Sequence, residues 1–227
     1  MVQIQEWMTN WCDKLQKEFG PRLLFVGLQG SYLRGEATEE SDLDVAVVLD
    51  SVSLSDLAAY RSLLTQMPEQ EKACGFLCGR EEFAHWPKYE IFQFVQGTKA
   101  WYGTLDGLAP EISGNDILSS LSIQTGALYH ALCHHYIYGC TQARPVHLAG
   151  YLKSMFFLLQ LKEYLRSGRY YQTKRELANA LTGQEEELLR LHLELISGRC
   201  LTEKETEVWY ERLLDWTSQT LRTCSPC

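Results

Sequence analysis

The chain has 227 residues, of which 45% are hydrophobic and 11% aromatic, so it can bury a core and is not a disordered segment. Its formal net charge is -8, from 29 Asp+Glu against 21 Lys+Arg, with no basic cluster, and this disfavours a nucleic-acid partner. No apolar run reaches the roughly 20 residues of a membrane-spanning helix, and residues 1–15 lack a secretory pattern, so we expect a soluble, cytoplasmic protein without a membrane partner.

The first part of the chain predicts a small mixed α/β domain over residues 1–112. Apolar residues at helical spacing predict a helix from Ile4 that the Gly20-Pro21 pair ends. Strands are predicted at residues 22–28, 42–50, 72–78 and 89–95, and a helix runs from the capping residue Ser53 to about residue 67.

The second part predicts a helical bundle domain over residues 113–227, after a linker near residues 106–116 that is rich in turn residues. The predicted helices span residues 117–138, 145–167, 174–181, 185–196 and 203–223. Thr173 and Thr202 stand at predicted N-caps. The fold class is therefore α/β plus all-α. All the net negative charge lies in residues 1–112, which carry 17 acidic and 9 basic residues.

Two carboxylates on the second predicted strand carry the clearest chemical signal. On a strand the side-chain period is two, so Asp42 and Asp44 project from one face. Neighbouring carboxylates on an apolar strand are unfavourable unless a cation lies between them, and oxygen ligands at this spacing suit Mg²⁺. Taken alone, an Asp-x-Asp pair is also typical of a solvated strand end or a Ca²⁺-binding loop.

Gly30 and Ser31 follow the first predicted strand and open a turn or short helix. Free backbone N–H groups at such a turn can point at phosphate oxygens, the glycine permits close approach, and the Ser31 hydroxyl adds a donor. Arg34, one turn further on, could meet the same phosphates. A Gly-Ser pair alone is a common turn, but with the aspartates between two strands it is far more specific.

The stretch GSYLRGEATEESDLDVAVVLD resembles the active-site signature of the nucleotidyltransferase superfamily that includes DNA polymerase beta. The match is closest to its bacterial small-molecule branch, the aminoglycoside and lincosamide nucleotidyltransferase-like proteins. The motif covers only about residues 25–50, but an α/β domain followed by a helical bundle agrees with the family's layout.

The resemblance implies a third carboxylate on a later strand of the same sheet, and Glu90 is the candidate because it is the only acid inside a later predicted strand. It would take the proton of the acceptor hydroxyl, with Glu81 and Glu82 in reserve and a solvated strand-edge role as the alternative. The resemblance also places Ser41 with the nucleotide-binding residues. Lys153, on an apolar predicted helix, would reach the triphosphate or else extend to solvent as a surface lysine.

The implied activity is Mg²⁺-dependent transfer of a nucleoside monophosphate, with AMP favoured, from ATP or another nucleoside triphosphate to a small hydroxylated acceptor such as an antibiotic. Two Mg²⁺ ions on Asp42 and Asp44 are implied. The alternatives are a protein-nucleotidylating enzyme of the toxin–antitoxin type and a non-catalytic nucleotide-binding regulatory module. The acceptor, the preferred triphosphate and the oligomeric state are left open.

The eight cysteines do not form the pattern of a disulfide framework. Cys224 and Cys227 form a lone CxxC pair near the end of the chain, where a zinc or redox site is the lesser alternative to reduced thiols.

Overall fold

The chain divides into two structural units, Met1–Ile112 and Ser113–Cys227, in a computed structural model that describes residues 2–224. Cys227, which is the second cysteine of the predicted CxxC pair, lies outside the described residues. Among the residues that the structure describes, no helix is long and apolar enough to cross a membrane.

The first unit is built on a mixed four-stranded sheet with the order β3-β2-β1-β4. Strand β1 pairs antiparallel with both β2 and β4, whereas β2 and β3 are parallel. In chain order the elements are α1 (Ile4–Phe19), β1 (Leu23–Leu28), α2 (Gly30–Arg34), β2 (Leu43–Leu49), α3 (Leu54–Leu64), β3 (Ala73–Gly79), α4 (Arg80–Ala84), α5 (Lys88–Gln96) and β4 (Lys99–Gly103), with 3₁₀ turns at Gly20–Arg22 and Gln70–Lys72.

Each face of the sheet carries its own apolar cluster because side chains alternate along the strands. On β2, Leu43, Val45, Val47 and Leu49 belong to the larger cluster, together with Trp7, Met8, Trp11 and Leu15 of α1. Ala46 and Val48 point to the opposite face, into a smaller cluster with Phe25, Phe83 and Ile91. We call these the α1 face and the α5 face. Burial on both faces explains why β2 reads as a continuous apolar run.

The predicted strand over residues 89–95 is wrong, because this segment forms the helix α5. Its sequence YEIFQFV is rich in aromatic and β-branched residues, which favours a strand on local grounds. In the structure Ile91 is buried in the cluster on the α5 face, and Phe94 and Val95, three and four residues further on, pack against the same cluster, a spacing that suits a helix. The fourth strand is instead the short, half-exposed β4.

In the second unit, residues 113–224 form helices joined by turns, in agreement with the prediction. It contains α6 (Gly114–Tyr138), α7 (Arg144–Ser167), α8 (Lys174–Ala180), α9 (Gln184–Ile196) and α10 (Glu203–Thr223), with a 3₁₀ turn at Thr141–Ala143. Thr173 and Thr202 form capping boxes with Glu176 and Glu205, and Ser53 forms one with Asp56 in the first unit, as predicted. The buried Tyr210 hydroxyl of α10 donates to the Leu132 carbonyl of α6 at 2.8 Å.

Candidate active site

The turn from β1 into α2 places Gly30 directly against the carboxylate of Asp44. A Cβ atom on residue 30 would lie 1.8 Å from Asp44 Oδ2 and 2.7 Å from Asp44 Cγ, so no side chain fits there. The backbone φ of Gly30 is +69°, a left-handed conformation that favours glycine. The Gln29 N–H donates to the Asp44 carbonyl at 2.8 Å, which fixes the turn onto β2. Two of the predicted site residues therefore meet.

Asp42 and Asp44 flank the fully buried Leu43 at the start of β2. Leu43 points into the α1 face, and because an extended backbone alternates, the two carboxylates are directed to the opposite side. Asp42 is exposed and Asp44 is half-buried, so both are accessible beyond the edge of the apolar cluster on the α5 face.

The end of β1 is held by a contact that the sequence did not indicate. The Gln29 side-chain amide donates to the Thr98 hydroxyl at 2.6 Å, and Thr98 Oγ1 in turn donates to the Phe94 carbonyl of α5. Gly27 allows this approach, since a Cβ atom there would lie 2.4 Å from Thr98 Cγ2. The Gly30 turn is thus anchored to the segment that joins α5 to β4.

The predicted phosphate-binding side chains differ in their availability. The Ser31 hydroxyl is half-buried and has no hydrogen-bond partner among residues 2–224. The Ser41 hydroxyl accepts from the Thr38 backbone N–H at 2.9 Å and closes the loop before β2. Arg34 is paired with Glu36, with 3.1 Å between Nε and Oε2. Of the three, Ser31 is the side chain best able to donate to a new acceptor.

Glu90 does not lie on a strand of the sheet, so the prediction that placed it on a later strand is wrong. It lies in the first turn of α5, is exposed, and accepts a hydrogen bond from Trp86 Nε1 at 2.7 Å. The reserve candidates, Glu81 and Glu82, lie in the first turn of α4. A Cβ atom on Gly79 would lie 2.3 Å from Glu82 Oε2, so this carboxylate folds back over the start of its own helix.

The strand position beside Asp44 is occupied by Cys74. In the parallel register of β2 and β3, Asp44 is opposite Cys74 and Ala46 is opposite Phe76, which belongs to the α5 face. Cys74 is an exposed free thiol on that same face. Only the pairing of distant strands reveals this neighbour, and no local pattern in the sequence could have found it.

The donor set of Asp42 and Asp44 fits a magnesium ion that is shared with substrate phosphates. Among the described residues, no group of three or more His, Cys, Asp or Glu side chains gathers into a metal site. Two carboxylates are nevertheless the protein ligands that Mg²⁺ typically uses when phosphates complete its coordination. Because Gly30 has no side chain, the Asp44 carboxylate lies close to the turn where phosphates would be bound.

Two further sequence predictions concern residues away from this turn. Lys153 is exposed on α7 of the helical unit, and its assignment to the triphosphate stays a prediction. The seven described cysteines are free thiols. Burial, with a smaller effect of the Glu82 carboxylate, raises the pKa of the Cys78 thiol to about 12, so this thiol stays protonated at neutral pH.

Comparison with known proteins identifies the domain that contains this turn. Residues 12–87 match the model of the nucleotidyltransferase domain family, a segment that spans α1 to α4 and includes Gly30, Asp42 and Asp44. The match confirms the resemblance to nucleotidyltransferases and the enzyme class predicted from the motif. It ends before Glu90. No protein of curated function matches the chain by sequence.

Solved structures share the fold at low sequence identity. Spectinomycin adenyltransferase AAD(9) from Enterococcus faecialis, solved with ATP and spectinomycin, superposes with a TM-score of 0.62 at 12% identity, covering 96% of this chain and 99% of that one. This likeness confirms the predicted fold class. A nucleotidyltransferase-like protein from Exiguobacterium sibiricum gives a TM-score of 0.41 at 12% identity, covering 96% of this chain and 78% of its own. A toxin–antitoxin complex with AMP-PNP gives 0.32 at 24% identity over 44% of this chain and 76% of that one.

Proposed function

We propose that this chain, which carries a nucleotidyltransferase domain, transfers a nucleoside monophosphate, favouring AMP, from a triphosphate to a hydroxyl of a small-molecule acceptor. The observation that carries the proposal is the close approach of Gly30 to the Asp44 carboxylate within the matched domain. This approach joins a phosphate-accessible turn to a metal-binding carboxylate, and nucleotidyl transfer needs both at one place.

The Asp42 and Asp44 carboxylates would hold the Mg²⁺, which when bound neutralises charge on the triphosphate and on the attacking and leaving oxygens. Gly30 exposes the backbone of the turn, and the Ser31 hydroxyl donates to a phosphate oxygen. Arg34 contributes only if it leaves Glu36 for the phosphates, because the two are now paired.

The reaction we propose exchanges one bond at the α-phosphorus for another and moves one proton. The acceptor hydroxyl oxygen attacks the α-phosphorus, the bond from that phosphorus to the bridging oxygen breaks, and pyrophosphate leaves with its electron pair. The hydroxyl proton passes to a general base, for which Glu90 remains the proposed group. Its exposed carboxyl group already accepts a hydrogen bond from Trp86 Nε1 at one oxygen, and the other oxygen can accept from a further donor.

The likeness to AAD(9) in fold guides the choice of acceptors to test, since that enzyme was solved with ATP and spectinomycin. We propose spectinomycin and related hydroxylated antibiotics as the first panel. The acidity of residues 1–112 gives weak further support to a cationic acceptor.

The test is incubation of the full chain with Mg²⁺, each of the four nucleoside triphosphates and the antibiotic panel, with release of pyrophosphate and the mass of the acceptor as readouts. An Asp42→Asn, Asp44→Asn double variant should lose activity by at least ~10³-fold, because the metal ligands are removed without a change of shape. The matched control is Glu39→Gln, Glu40→Gln, which neutralises two exposed acids of the same loop and should keep full activity.

Pyrophosphate release that survives in the double aspartate variant would contradict the assignment of the metal ligands. Transfer of labelled nucleotide to proteins of a cell extract, with no small acceptor modified, would favour the protein-nucleotidylating alternative. Tight triphosphate binding without turnover would favour the non-catalytic one.

A further inference from the structure

The residue before the Gly30 turn, Gln29, is fixed by two hydrogen bonds that point in different directions. Its backbone N–H donates to the Asp44 carbonyl at 2.8 Å, and its side-chain amide donates to the Thr98 hydroxyl at 2.6 Å. The first bond ties the turn to β2, and the second ties it to the segment between α5 and β4. The place from which the turn starts is therefore set by two elements that are far apart in the chain.

The direction of each hydrogen bond at Thr98 is fixed by the groups around it. Thr98 Oγ1 lies 2.5 Å from the Phe94 carbonyl, which can only accept, so the hydroxyl proton points to Phe94. The hydroxyl oxygen is then the acceptor for the Gln29 amide. A valine at position 98 has the shape of threonine but would take this partner away from both the Gln29 donor and the Phe94 acceptor.

The Phe94 end of these hydrogen bonds is held by packing. The Phe94 ring meets the rings of Phe76 and Phe83 edge-on, with centroid distances of 4.9 and 5.2 Å. Phe83 is fully buried, and all three rings belong to the apolar cluster on the α5 face. Because closely packed side chains have little room to move, the Phe94 carbonyl is a fixed point from which Thr98 and Gln29 extend.

Strand β1 is shaped to admit Thr98. A Cβ atom on Gly27 would lie 2.4 Å from Thr98 Cγ2, so a side chain at position 27 would displace the threonine. The pairing of β1 with β4 also shifts here, because Val26 is opposite Tyr102 while Gly27 is opposite Ala100, and β4 contains one extra residue at this point. A bulge of this kind bends the strand, and bulges are frequent beside active sites.

We propose that Gln29 and Thr98 are positioning residues for the candidate active site. They hold the Gly30 turn against the Asp44 carboxylate, so that a metal ion and a triphosphate meet a site that is already formed. Binding is then tighter because it does not have to order the turn. The inference rests on the proposed function for its ligands. Both residues act through Gly30 and Asp44, not on the reacting atoms.

The test measures how the full chain binds Mn²⁺ together with α,β-methylene-ATP, whose CH₂ bridge blocks nucleotidyl transfer. Thr98→Val should raise the dissociation constant of this analogue roughly fivefold or more, since the turn is no longer held. Thr98→Ser keeps the hydroxyl and should bind within about twofold of the parent chain. In turnover, Thr98→Val should raise the KM for the triphosphate by the same factor and leave kcat nearly unchanged, because the lost contact acts on binding.

Gln29→Leu removes the other side of the same contact. It should weaken analogue binding by the same factor as Thr98→Val. The double variant should bind no more weakly than either single variant, because both substitutions remove one interaction. Additive losses would show that the two side chains act separately.

The matched control is Thr206→Val in α10. The Thr206 hydroxyl donates to the Thr202 carbonyl, four residues earlier, at 2.9 Å, as Thr98 does to Phe94. Its loss should lower stability to a similar extent and leave analogue binding unchanged. In the ¹⁵N-labelled chain without metal or nucleotide, the Gly30 amide resonance should shift in Thr98→Val and stay in place in Thr206→Val.

Three results would overturn the positioning role: analogue binding within twofold of the parent chain in Thr98→Val, equal weakening in Thr206→Val, or an unshifted Gly30 resonance in Thr98→Val. A parent chain that binds no analogue would instead contradict the proposed function. The Gly30 resonance would then still report whether Thr98 sets the turn.

Discussion

The two faces of the four-stranded sheet are built from the same strand, β2, yet they differ in what they contribute. On the α1 face, Trp7, Trp11 and Leu15 share one apolar cluster with the β2 residues Leu43, Val45, Val47 and Leu49, and Trp11 and Leu15 are fully buried. On the α5 face, the apolar cover ends before the start of the strand, where Asp44 lies half-buried against Gly30.

This difference follows from the two-residue period of a strand. Leu43 anchors the start of β2 in the α1 face while its neighbours Asp42 and Asp44 are left at the open end of the other face. The closed face contains the larger apolar cluster, and the open end carries the candidate site. Substitutions on either side should therefore separate the free energy of unfolding from the candidate activity.

The largest expected effect comes from opening the closed face. Trp11→Ala should lower the free energy of unfolding by about 3–5 kcal/mol, because a fully buried indole leaves a cavity that the surroundings fill only in part. Urea unfolding followed by circular dichroism measures it. Leu54→Ala, at a side chain that is 83% exposed, is the control and should change stability by less than about 0.5 kcal/mol. A loss below about 1 kcal/mol for Trp11→Ala would show that this face is not the main source of stability.

A smaller effect is expected from substitution of Gly30, at the open end of the α5 face. Gly30→Ala should reduce nucleotidyl transfer and the apparent Mg²⁺ affinity by about 10- to 100-fold, because the new Cβ displaces the Asp44 carboxylate. Gly35→Ala is the matched control, since Gly35 has φ +68° but nothing within 4 Å of the added Cβ. It should cost about 1–2 kcal/mol of stability through backbone strain alone and leave the Mg²⁺ affinity unchanged. Equal effects of the two substitutions on Mg²⁺ affinity would show that the close approach of Gly30 to Asp44 does not matter for metal binding.

A gain is expected from adding a carboxylate beside Asp44. Cys74→Asp should tighten Mn²⁺ binding, measured by electron paramagnetic resonance, by about tenfold, because a third oxygen ligand joins the same face of the sheet. Cys74→Asn has the same shape without the charge and should bind Mn²⁺ like the parent chain. If both variants bind alike, the side chain at position 74 does not approach the ion.

The smallest effect is a dependence of stability on pH that belongs to neither face. Arg22 donates to both oxygens of Asp56, at 2.7 and 3.0 Å, and with the Ser53 hydroxyl and backbone N–H it holds the pKa of this carboxyl well below its usual value. A depressed carboxyl pKa contributes stability above the unfolded-state pKa of about 3.9, and the contribution is lost as the pH falls below it.

Asp56→Asn should therefore flatten the acid side of the stability curve, between about pH 4 and pH 2, and leave the slope above pH 6 unchanged. Urea midpoints across this range measure it. Asp13→Asn, which removes an exposed carboxylate of α1, should keep the slope of the parent chain. If Asp56→Asn leaves the slope of stability between pH 4 and pH 2 unchanged, the ion pair with Arg22 persists in the unfolded chain.

Much of the fold could be predicted because its signals are local. The helix caps at Ser53, Thr173 and Thr202 depend on residues three positions apart, and the structure forms each of them. The segment YEIFQFV failed for the opposite reason. Its composition favours a strand, but its environment is the cluster on the α5 face, where Ile91, Phe94 and Val95 pack as one side of a helix.

For the candidate site, the sequence alone determined the pair of aspartates, the Gly-Ser turn and the family of the domain, because their spacing lies within one short segment. Only the tertiary structure decided that Gly30 has no room for a side chain, that Cys74 is the strand neighbour of Asp44, and that Glu90 lies on a helix. The physical reason is that these neighbours are set by strand pairing and core packing between residues far apart in the chain, which no local pattern encodes.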